Sequence, residues 1–232
     1  MGEYAPGLDP AFAERARQEG LTVVIGTGSV AAANLGGLAY ELGRTRPGPL
    51  VVILTEAAGR FVRPAAVRHL GRCPVLGEET TAPSLEPLHV WLTDVASRLL
   101  VYPASAGFLA RAAAGMATDL ASTTLLCATG TPTLMVPSMH PRMWANHLVQ
   151  QNVRRLRQAG IRVLGSPDGM APPVEDVVSA LFDLSAGQEP HTETHSETHA
   201  ETHSGRQGHD HDGRRGDQCH PDHRIRAGEH SR

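Results

Sequence analysis

The 232-residue chain has no lysine, because all 21 of its basic residues are arginine. That absence excludes chemistry that depends on a lysine amine, such as Schiff-base formation or the phosphate contact of a P-loop. Cysteine is scarce, and Cys73, Cys127 and Cys219 show neither CxxC nor metal-type spacing. The sequence therefore predicts neither a disulfide framework nor a metal site in the folded domain.

Long apolar runs are missing as well. No stretch reaches the length of a transmembrane helix, and Met1–Gly20 is polar and acidic rather than built like a secretory leader. The net charge of −3 and the isoelectric point near 6.5 lack the basic excess of nucleic-acid-binding proteins. We therefore expect a cytoplasmic protein that binds neither nucleic acid nor a membrane.

Hydrophobic residues make up 41% of the chain and lie almost entirely within residues 1–184, enough for an ordinary core. Uniformly apolar segments predict strands, which alternate with segments of helical periodicity. This alternation is typical of a parallel sheet covered on both faces, so we predict an α/β, Rossmann-like three-layer domain over residues 1–184. The predicted strands are 23–25, 50–54, 98–102, 134–136 and 161–164, and the predicted helices are 29–43, 64–70, 87–97, 108–116 and 145–159.

Residues 185–232 differ in character from the rest. Nine of the thirteen histidines follow residue 190, and residues 191–203 repeat a four-residue histidine motif. With almost no apolar residues, this segment cannot offset its ordering entropy, so we predict a disordered His-rich low-complexity tail. Histidines four apart can bind nickel, copper or zinc, but nothing preorganises them, so no physiological metal site is predicted.

Polar and small residues follow the first two main strands. Gly28 and Ser29, in Gly26–Ser29, place backbone N–H groups and a hydroxyl at a helix start, which suits a phosphate. The full GxGxxG pattern is broken by Ala31, so a plain tight turn is the alternative. Thr55 with Phe61 offers a hydroxyl and an aromatic ring that can flank a planar ligand, or else a capping threonine and a core phenylalanine.

Hydroxyls and small side chains recur further along. Ala104 and Ser105, followed by Ser122 and Thr123, can let a planar cofactor approach the backbone, or can simply cap and pack helices. His89, early in the helix predicted from Pro87, can act as a base because imidazole titrates near neutrality, or can be a surface histidine.

The segment Pro137–Trp144 is a Pro-bracketed loop between a strand and a helix. In open α/β sheets such strand-end loops carry the ligands. Met139, Met143 and Trp144 beside His140 can cover a flat aromatic ligand or form a small lid. The alternative is a Met/Trp cluster that only packs the loop.

The order and spacing of these segments resemble the homo-oligomeric flavin-containing cysteine decarboxylases, over about residues 20–170. That family includes the lantibiotic peptidyl-cysteine decarboxylases and phosphopantothenoylcysteine decarboxylase. The resemblance implies FMN, with FAD possible, bound at a subunit interface of a homo-trimer or a dodecamer of trimers. The matching segments are Gly26–Ser29, Val52–Ala58 with Phe61, His89, Pro103–Ala106, Gly115–Leu126 and Pro137–Trp144.

The resemblance also implies residue roles. The flavin would oxidise a cysteine to a thioaldehyde, which would lose carbon dioxide to give an enethiol, while the protein supplies orientation and a base. His89 would be the catalytic residue, and His140, Met143 and Trp144 would bind the substrate. The cofactor-binding residues would be Gly28, Ser29, Thr55, Phe61, Ala104, Ser105, Ser122, Thr123 and Met139.

Two departures from the family pattern affect these roles. Gly107-Phe108 stand where the family has Asn-Thr, and His140 stands where it has the asparagine that binds the substrate carboxylate. A histidine can also donate to a carboxylate, more strongly when protonated, so we predict that His140 replaces the asparagine in kind.

A third feature separates the members of the family. Phosphopantothenoylcysteine decarboxylases carry a reducing cysteine in the stretch that matches 165–173, and this chain has none there. An enzyme without that thiol would stop at the enethiol. We therefore expect the substrate to be a ribosomally made precursor peptide with a C-terminal cysteine, converted for aminovinyl-cysteine formation beside other peptide-modifying enzymes. The alternatives are phosphopantothenoylcysteine decarboxylase with a relocated thiol, and a non-catalytic flavin-binding regulatory scaffold.

Overall fold

Six parallel strands form one sheet in the computed structural model, which describes residues 8–46, 48–77 and 87–184. Their spatial order is β3-β2-β1-β4-β5-β6, with every neighbouring pair parallel. The predicted α/β, Rossmann-like fold is confirmed, whereas the predicted tail lies outside the described residues. The strands are β1 Leu21–Gly26, β2 Leu50–Leu54, β3 Val75–Leu76, β4 Ala96–Ala104, β5 Thr133–Pro137 and β6 Arg162–Val163.

Helices cover both faces of this sheet. In the described ranges, none of them is long and apolar enough to cross a membrane. Two short 3₁₀ helices, Val30–Asn34 and Ala58–Arg60, follow β1 and β2. The α-helices are α1 Pro10–Glu19, α2 Leu35–Thr45, α3 Pro64–Gly71, α4 Leu88–Asp94, α5 Ala106–Ala113, α6 Leu120–Cys127, α7 Pro141–Trp144, α8 His147–Gln158 and α9 Val174–Asp183.

The core consists of two clusters, one on each face of the sheet. Successive strand residues alternate between them, as the two-residue period of a strand requires. In β4, for example, Leu99 and Val101 belong to the cluster with α1, α4, α5, α6 and α8. Leu100 and Tyr102 belong to the cluster with α2, α3 and α9. Both faces are therefore buried, which explains why the strands are apolar throughout.

Three differences from the predicted elements have local causes. Helix α1 was not predicted, although Asp9 caps it by accepting from the N–H groups of Ala11 and Phe12. Helices α6 and α9 and strand β3 were also missed. The helix predicted over 145–159 is found as α8, which begins at His147 because the Asn146 side chain caps it by accepting from the Leu148 N–H. The short helix α7 lies in the segment Pro137–Trp144, which was predicted as a loop.

The central strand β4 provides a test of the core. Leu100 is fully buried, so Leu100→Ala removes core packing and should lower the free energy of unfolding by about 2–5 kcal/mol. Leu148→Ala on α8 is the matched control, because Leu148 is 58% exposed and should cost far less. Chemical denaturation monitored by circular dichroism measures both. Equal losses would contradict the assignment of β4 to the core.

Candidate functional site

The strand order creates a crevice between β1 and β4 at the carboxyl edge of the sheet. The chain leaves β1 toward one face, where Ala32 and Leu35 join the cluster with α2. It leaves β4 toward the other face, where Phe108 and Leu109 join the cluster with α5. Open α/β sheets bind ligands at such a reversal of strand order. The segments after β1, β2, β4 and β5 therefore meet around one crevice.

Thr27 fastens the two sides of this crevice together. Its hydroxyl donates to the Pro103 carbonyl at 2.7 Å and accepts from the Ser105 N–H at 2.9 Å. The side chain is only 1% exposed, so water does not compete for these bonds. The loop after β1 is thus held in register with the loop after β4.

Thr55 plays a similar part between β1 and β2. Its N–H and its hydroxyl both donate to the Gly26 carbonyl, at 3.0 and 3.2 Å, and the hydroxyl accepts from the Ala58 N–H. A Cβ on Gly28 would lie 2.6 Å from the Cβ of Ala57, so only glycine lets these two loops approach. Thr55 and Gly28, both expected to bind a cofactor, shape the crevice through contacts within the chain.

Strands β4 and β5 continue the edge. Ala104 is fully buried, and its carbonyl accepts from the Ser138 N–H at 3.1 Å. Ser105 caps α5 by accepting from the Phe108 N–H at 3.3 Å. The predicted residues Ala104 and Ser105 are thus brought beside Gly28 and Ser29, and the Ser29 hydroxyl makes no hydrogen bond within the described ranges.

The segment after β5 is held by the loop after β6. The Met139 N–H donates to the Gly169 carbonyl at 2.8 Å. A Cβ on Gly165 would lie 2.5 Å from the Trp144 ring, so the indole lies directly against this glycine. The Trp144 ring is therefore engaged inside the chain as a packing residue, and the Met139 side chain is buried in the cluster with α5.

His140 is exposed and begins α7. Its Nδ1 accepts from the Arg142 N–H at 3.1 Å, which requires that nitrogen to be unprotonated. The Nε2–H then faces away from the cap and is free to donate to an anion. The imidazole can therefore donate to a carboxylate while it caps α7.

Two predicted contact residues present apolar surface beside this edge. Phe61, after β2, is 44% exposed, and Met143, on α7, is 48% exposed. Both positions follow strand ends, so the exposed side chains flank the crevice rather than fill the core. They are available to a ligand or to another protein surface.

His89 is separated from the crevice within one chain. It is the second residue of α4, seven residues before β4, so its Cα lies within about 15 Å of the start of that strand. Ser105 lies beyond the far end of β4, which is nine residues and therefore roughly 30 Å long. The imidazole makes no hydrogen bond in the described part of the chain, and it cannot reach Ser105 directly.

Ser122 and Thr123 also lie apart from the crevice. They belong to α6, Leu120–Cys127. The Ser122 hydroxyl is engaged in a capping box with Asp119, donating to Oδ1 at 2.6 Å. Ser122 lines a cavity of about 600 Å³ with Thr133 at the start of β5, so it faces the opposite end of that strand.

The cavity beside Ser122 has a volume of about 600 Å³, but it lacks the chemistry of an active site. Most of its wall is apolar, including Met116, Leu126 and Leu156. We locate the candidate site at the crevice, where the hydroxyls and close backbone approaches converge, and not at this cavity.

The two cysteines of the described chain were considered as sources of the reducing thiol that phosphopantothenoylcysteine decarboxylases carry. Cys73 is buried, and burial raises the pKa of its thiol to about 11. It therefore holds a proton at neutral pH and is a poor nucleophile or reductant. Cys127 is exposed and is the last residue of α6. Neither one is a thiol placed at the crevice.

Sequence reasoning missed Thr27, Gly165 and Gly169. Thr27 stands inside the glycine turn that was noted for its phosphate fit, so its position was visible but its partners were not. The need for the two glycines is not visible locally, because Gly165 accommodates the Trp144 ring and Gly169 the Met139 carbonyl, both more than twenty residues earlier.

Comparisons with known proteins identify the family of this chain. The Flavoprotein family profile matches residues 13–187. The coenzyme A biosynthesis bifunctional protein CoaBC of Haemophilus influenzae is 34% identical over 183 residues, covering 71% of this chain and 44% of that protein. The solved FMN-dependent cysteine decarboxylase TvaF from thioviridamide biosynthesis is 27% identical with a TM-score of 0.64, covering 73% of this chain and 99% of that one. SpaF, another FMN-dependent cysteine decarboxylase, is 26% identical with a TM-score of 0.64, covering 74% of this chain and 99% of that one.

The chain belongs to the Flavoprotein family, because the profile match extends over most of its length. The resemblance inferred from the sequence motifs is thereby confirmed. The chain spans less than half the length of the CoaBC relative, whereas it covers nearly all of TvaF and SpaF.

The bridge made by Thr27 is testable by substitution. Thr27→Val leaves the Pro103 carbonyl and the Ser105 N–H unpaired in a buried place, so it should lower the free energy of unfolding by about 1–3 kcal/mol. Thr27→Ser keeps the hydroxyl and should recover most of that loss. The control is Thr124→Val, which removes a buried hydroxyl bonded to the Leu120 carbonyl within α6. If Thr124→Val lowers the free energy of unfolding as much as Thr27→Val does, the Thr27 bridge stabilises the protein no more than a hydroxyl within a helix.

Proposed function

We propose that this protein binds FMN at the carboxyl-edge crevice and oxidatively decarboxylates the C-terminal cysteine of a ribosomally made precursor peptide. The observation that carries the proposal is the hydrogen-bonded crevice between β1 and β4 in a chain of the Flavoprotein family. Its near-complete coverage of TvaF and SpaF, which are FMN-dependent cysteine decarboxylases, supports the same assignment.

The residues at the crevice fit a flavin nucleotide. The glycine turn brings backbone close to the neighbouring loop, and the free Ser29 hydroxyl stands at a helix start, which suits a phosphate. The exposed Phe61 ring can cover a planar ring system. When bound, FMN supplies the acceptor for the two electrons removed from cysteine. Thr55 and Thr27 serve indirectly, because their hydroxyls hold the loops and are already engaged.

His89 is proposed as the base. Because it is separated from the crevice of its own chain, it would have to act at the crevice of another copy in a homo-oligomer. We propose that a homo-oligomer, a trimer or a dodecamer of trimers, brings the α4 surface of one copy to the crevice of another. The free imidazole of His89 supports this, since none of its nitrogens is used within the described chain. Ser122 and Thr123 on α6, which packs beside α4, would approach the flavin in the same way.

The substrate carboxylate is assigned to His140. The Nε2–H is free because Nδ1 is engaged by the Arg142 N–H, so the cap fixes the tautomer that donates. Met143, exposed on the same helical turn, offers an apolar contact for the peptide. Trp144 supports this turn from below, against Gly165, and is proposed to act on the substrate through the position of His140 and Met143.

The expected product is the oxidised enethiol. Residues 165–173 contain no cysteine, and Cys73 is a buried thiol with a raised pKa. No thiol at the crevice of the described chain can therefore return electrons to the product. Loss of carbon dioxide together with two hydrogens would leave the enethiol that aminovinyl-cysteine formation consumes.

A second candidate is decarboxylation of phosphopantothenoylcysteine in coenzyme A biosynthesis. The 34% identity to CoaBC supports it. The two candidates differ in their products, because the coenzyme A route loses carbon dioxide alone and restores the two hydrogens. A reducing thiol would then have to come from Cys127 or from Cys219, which lies outside the described residues.

The first test is a peptide assay on the purified flavoprotein. Its visible spectrum should show flavin bands, and peptides ending in cysteine should lose carbon dioxide plus two hydrogens, detected by mass spectrometry. His89→Ala should lower kcat by about 10²–10⁴-fold, the usual contribution of a general base, while the flavin bands remain. Phosphopantothenoylcysteine assayed in parallel distinguishes the second candidate.

Three results would decide against the first candidate, and a fourth would decide against the role of His89. A colourless protein that takes up no added flavin would exclude any flavin-dependent function. Bound flavin with no mass change across a varied peptide library would remove the peptide substrate, and loss of carbon dioxide alone from phosphopantothenoylcysteine would establish the second candidate. Unchanged turnover in His89→Ala would remove the base.

The role of His140 gives a second test. His140→Ala should raise the KM of the peptide sharply, by about tenfold or more, since it removes a hydrogen bond to a charged group. His140→Asn should retain substantial activity, because an asparagine amide can also donate to the carboxylate and can cap α7. Steady-state kinetics with one cysteine-ending peptide measures both variants.

The comparison also separates binding from folding. Because the amide of asparagine can replace the cap, His140→Asn controls for distortion of α7. Equal kinetics for His140→Ala and wild type would show that His140 is only a loop residue. The carboxylate would then be held elsewhere, with the exposed Arg142 as the next residue to substitute.

A further inference from the structure

One buried hydroxyl at the carboxyl edge has no hydrogen-bond partner among the described residues. Ser138, directly after β5, is 2% exposed, and its Oγ is enclosed but unpaired. Three other hydroxyls at this edge behave differently. Those of Thr27, Thr55 and Ser105 each have a partner within the chain. Ser138 thus differs from them, and it differs from the unpaired Ser29 hydroxyl in being almost fully enclosed, where a missing partner is unfavourable.

The backbone around Ser138 is fixed on both sides. Its own N–H donates to the Ala104 carbonyl at 3.1 Å, and the next N–H, of Met139, donates to the Gly169 carbonyl at 2.8 Å. The main chain therefore cannot easily shift to bring the hydroxyl to another partner. An enclosed hydroxyl without a partner is unfavourable, and alanine at this position would avoid the penalty.

The strand register gives the face on which Ser138 lies. In β5, Leu134 and Val136 belong to the cluster with α2, whereas Met135 belongs to the opposite cluster. Continuing this alternation puts Ser138 on the side of Val136. The chain that follows β4 leaves toward the opposite face, into α5. Ser138 is thus beside β4 on the face that the departing chain leaves open at the crevice.

We propose that the Ser138 hydroxyl is a hydrogen-bonding contact for bound FMN, an inference that rests on the proposed FMN site. A polar ligand in the crevice would satisfy the enclosed Ser138 hydroxyl, which has no partner among the described residues. The other enclosed unpaired side-chain atoms belong to Trp91, Arg98 and Arg111, and none of these follows the end of a strand.

The test compares folding and binding in the same variants. Wild type, Ser138→Ala and Thr133→Val are prepared as flavin-free protein and titrated with FMN by flavin fluorescence, and thermal unfolding is measured without flavin. Thr133 is the matched control, because it lies at the other end of β5 and its buried hydroxyl already donates to the Thr131 carbonyl at 2.9 Å.

The two variants should give opposite results. Ser138→Ala should leave the unfolding midpoint of the flavin-free protein unchanged or raise it, and should weaken FMN binding about tenfold, which corresponds to about 1.4 kcal/mol. Thr133→Val should lower the midpoint and leave the Kd for FMN unchanged. Should Ser138→Ala not fold, Ser138→Cys, nearly the same size and a weaker donor, should weaken FMN binding by a smaller factor.

An unchanged Kd for FMN in the Ser138 variants, with the wild type binding FMN normally, would overturn this inference and leave the proposed function intact. The hydroxyl would then serve the structure alone. Absence of FMN binding by the wild type would overturn the FMN site and the Ser138 contact together. The titration therefore distinguishes the two failures.

Discussion

The site depends on a row of hydrogen bonds that ties the carboxyl ends of the strands to one another. Thr55 joins β2 to β1, Thr27 joins β1 to β4, and the Ser138 N–H joins β5 to β4. At β1 and β4 this row must cross the crevice, because the chain leaves the two strands toward opposite faces. A buried threonine hydroxyl that both donates and accepts can make that crossing. The crevice is therefore open to a ligand and yet fixed in shape.

The fold could be predicted because its cause is repetitive and local. Strands buried on both faces must be apolar throughout, and helices must separate parallel strands, so alternation alone identifies the class. Short elements escaped prediction, since β3 has two residues and α6 has only eight. Helix α9 follows a proline-rich stretch that masked its apolar face.

The site was predictable only in part, for a different reason. Gly28, Ala104 and Ser105 could be identified because glycine and small residues at strand ends carry their own meaning. The hydroxyl of Thr27 and the N–H of Ser138 donate to partners 76 and 34 residues away, Pro103 and Ala104, which sequence spacing does not specify. The separation of His89 from the crevice depends on the lengths of α4 and β4, and no motif encodes it.

The short turn α7 shows how one bond can couple structure to recognition. His140 both begins the helix and stands where the substrate carboxylate is proposed to bind. Since Nδ1 must accept from the Arg142 N–H to hold the turn, only Nε2 remains to donate, and the folded loop thereby selects the tautomer. Protonating the imidazole would give a stronger donor, but it would also remove the cap. The same side chain that caps α7 is therefore the one proposed to donate to the substrate.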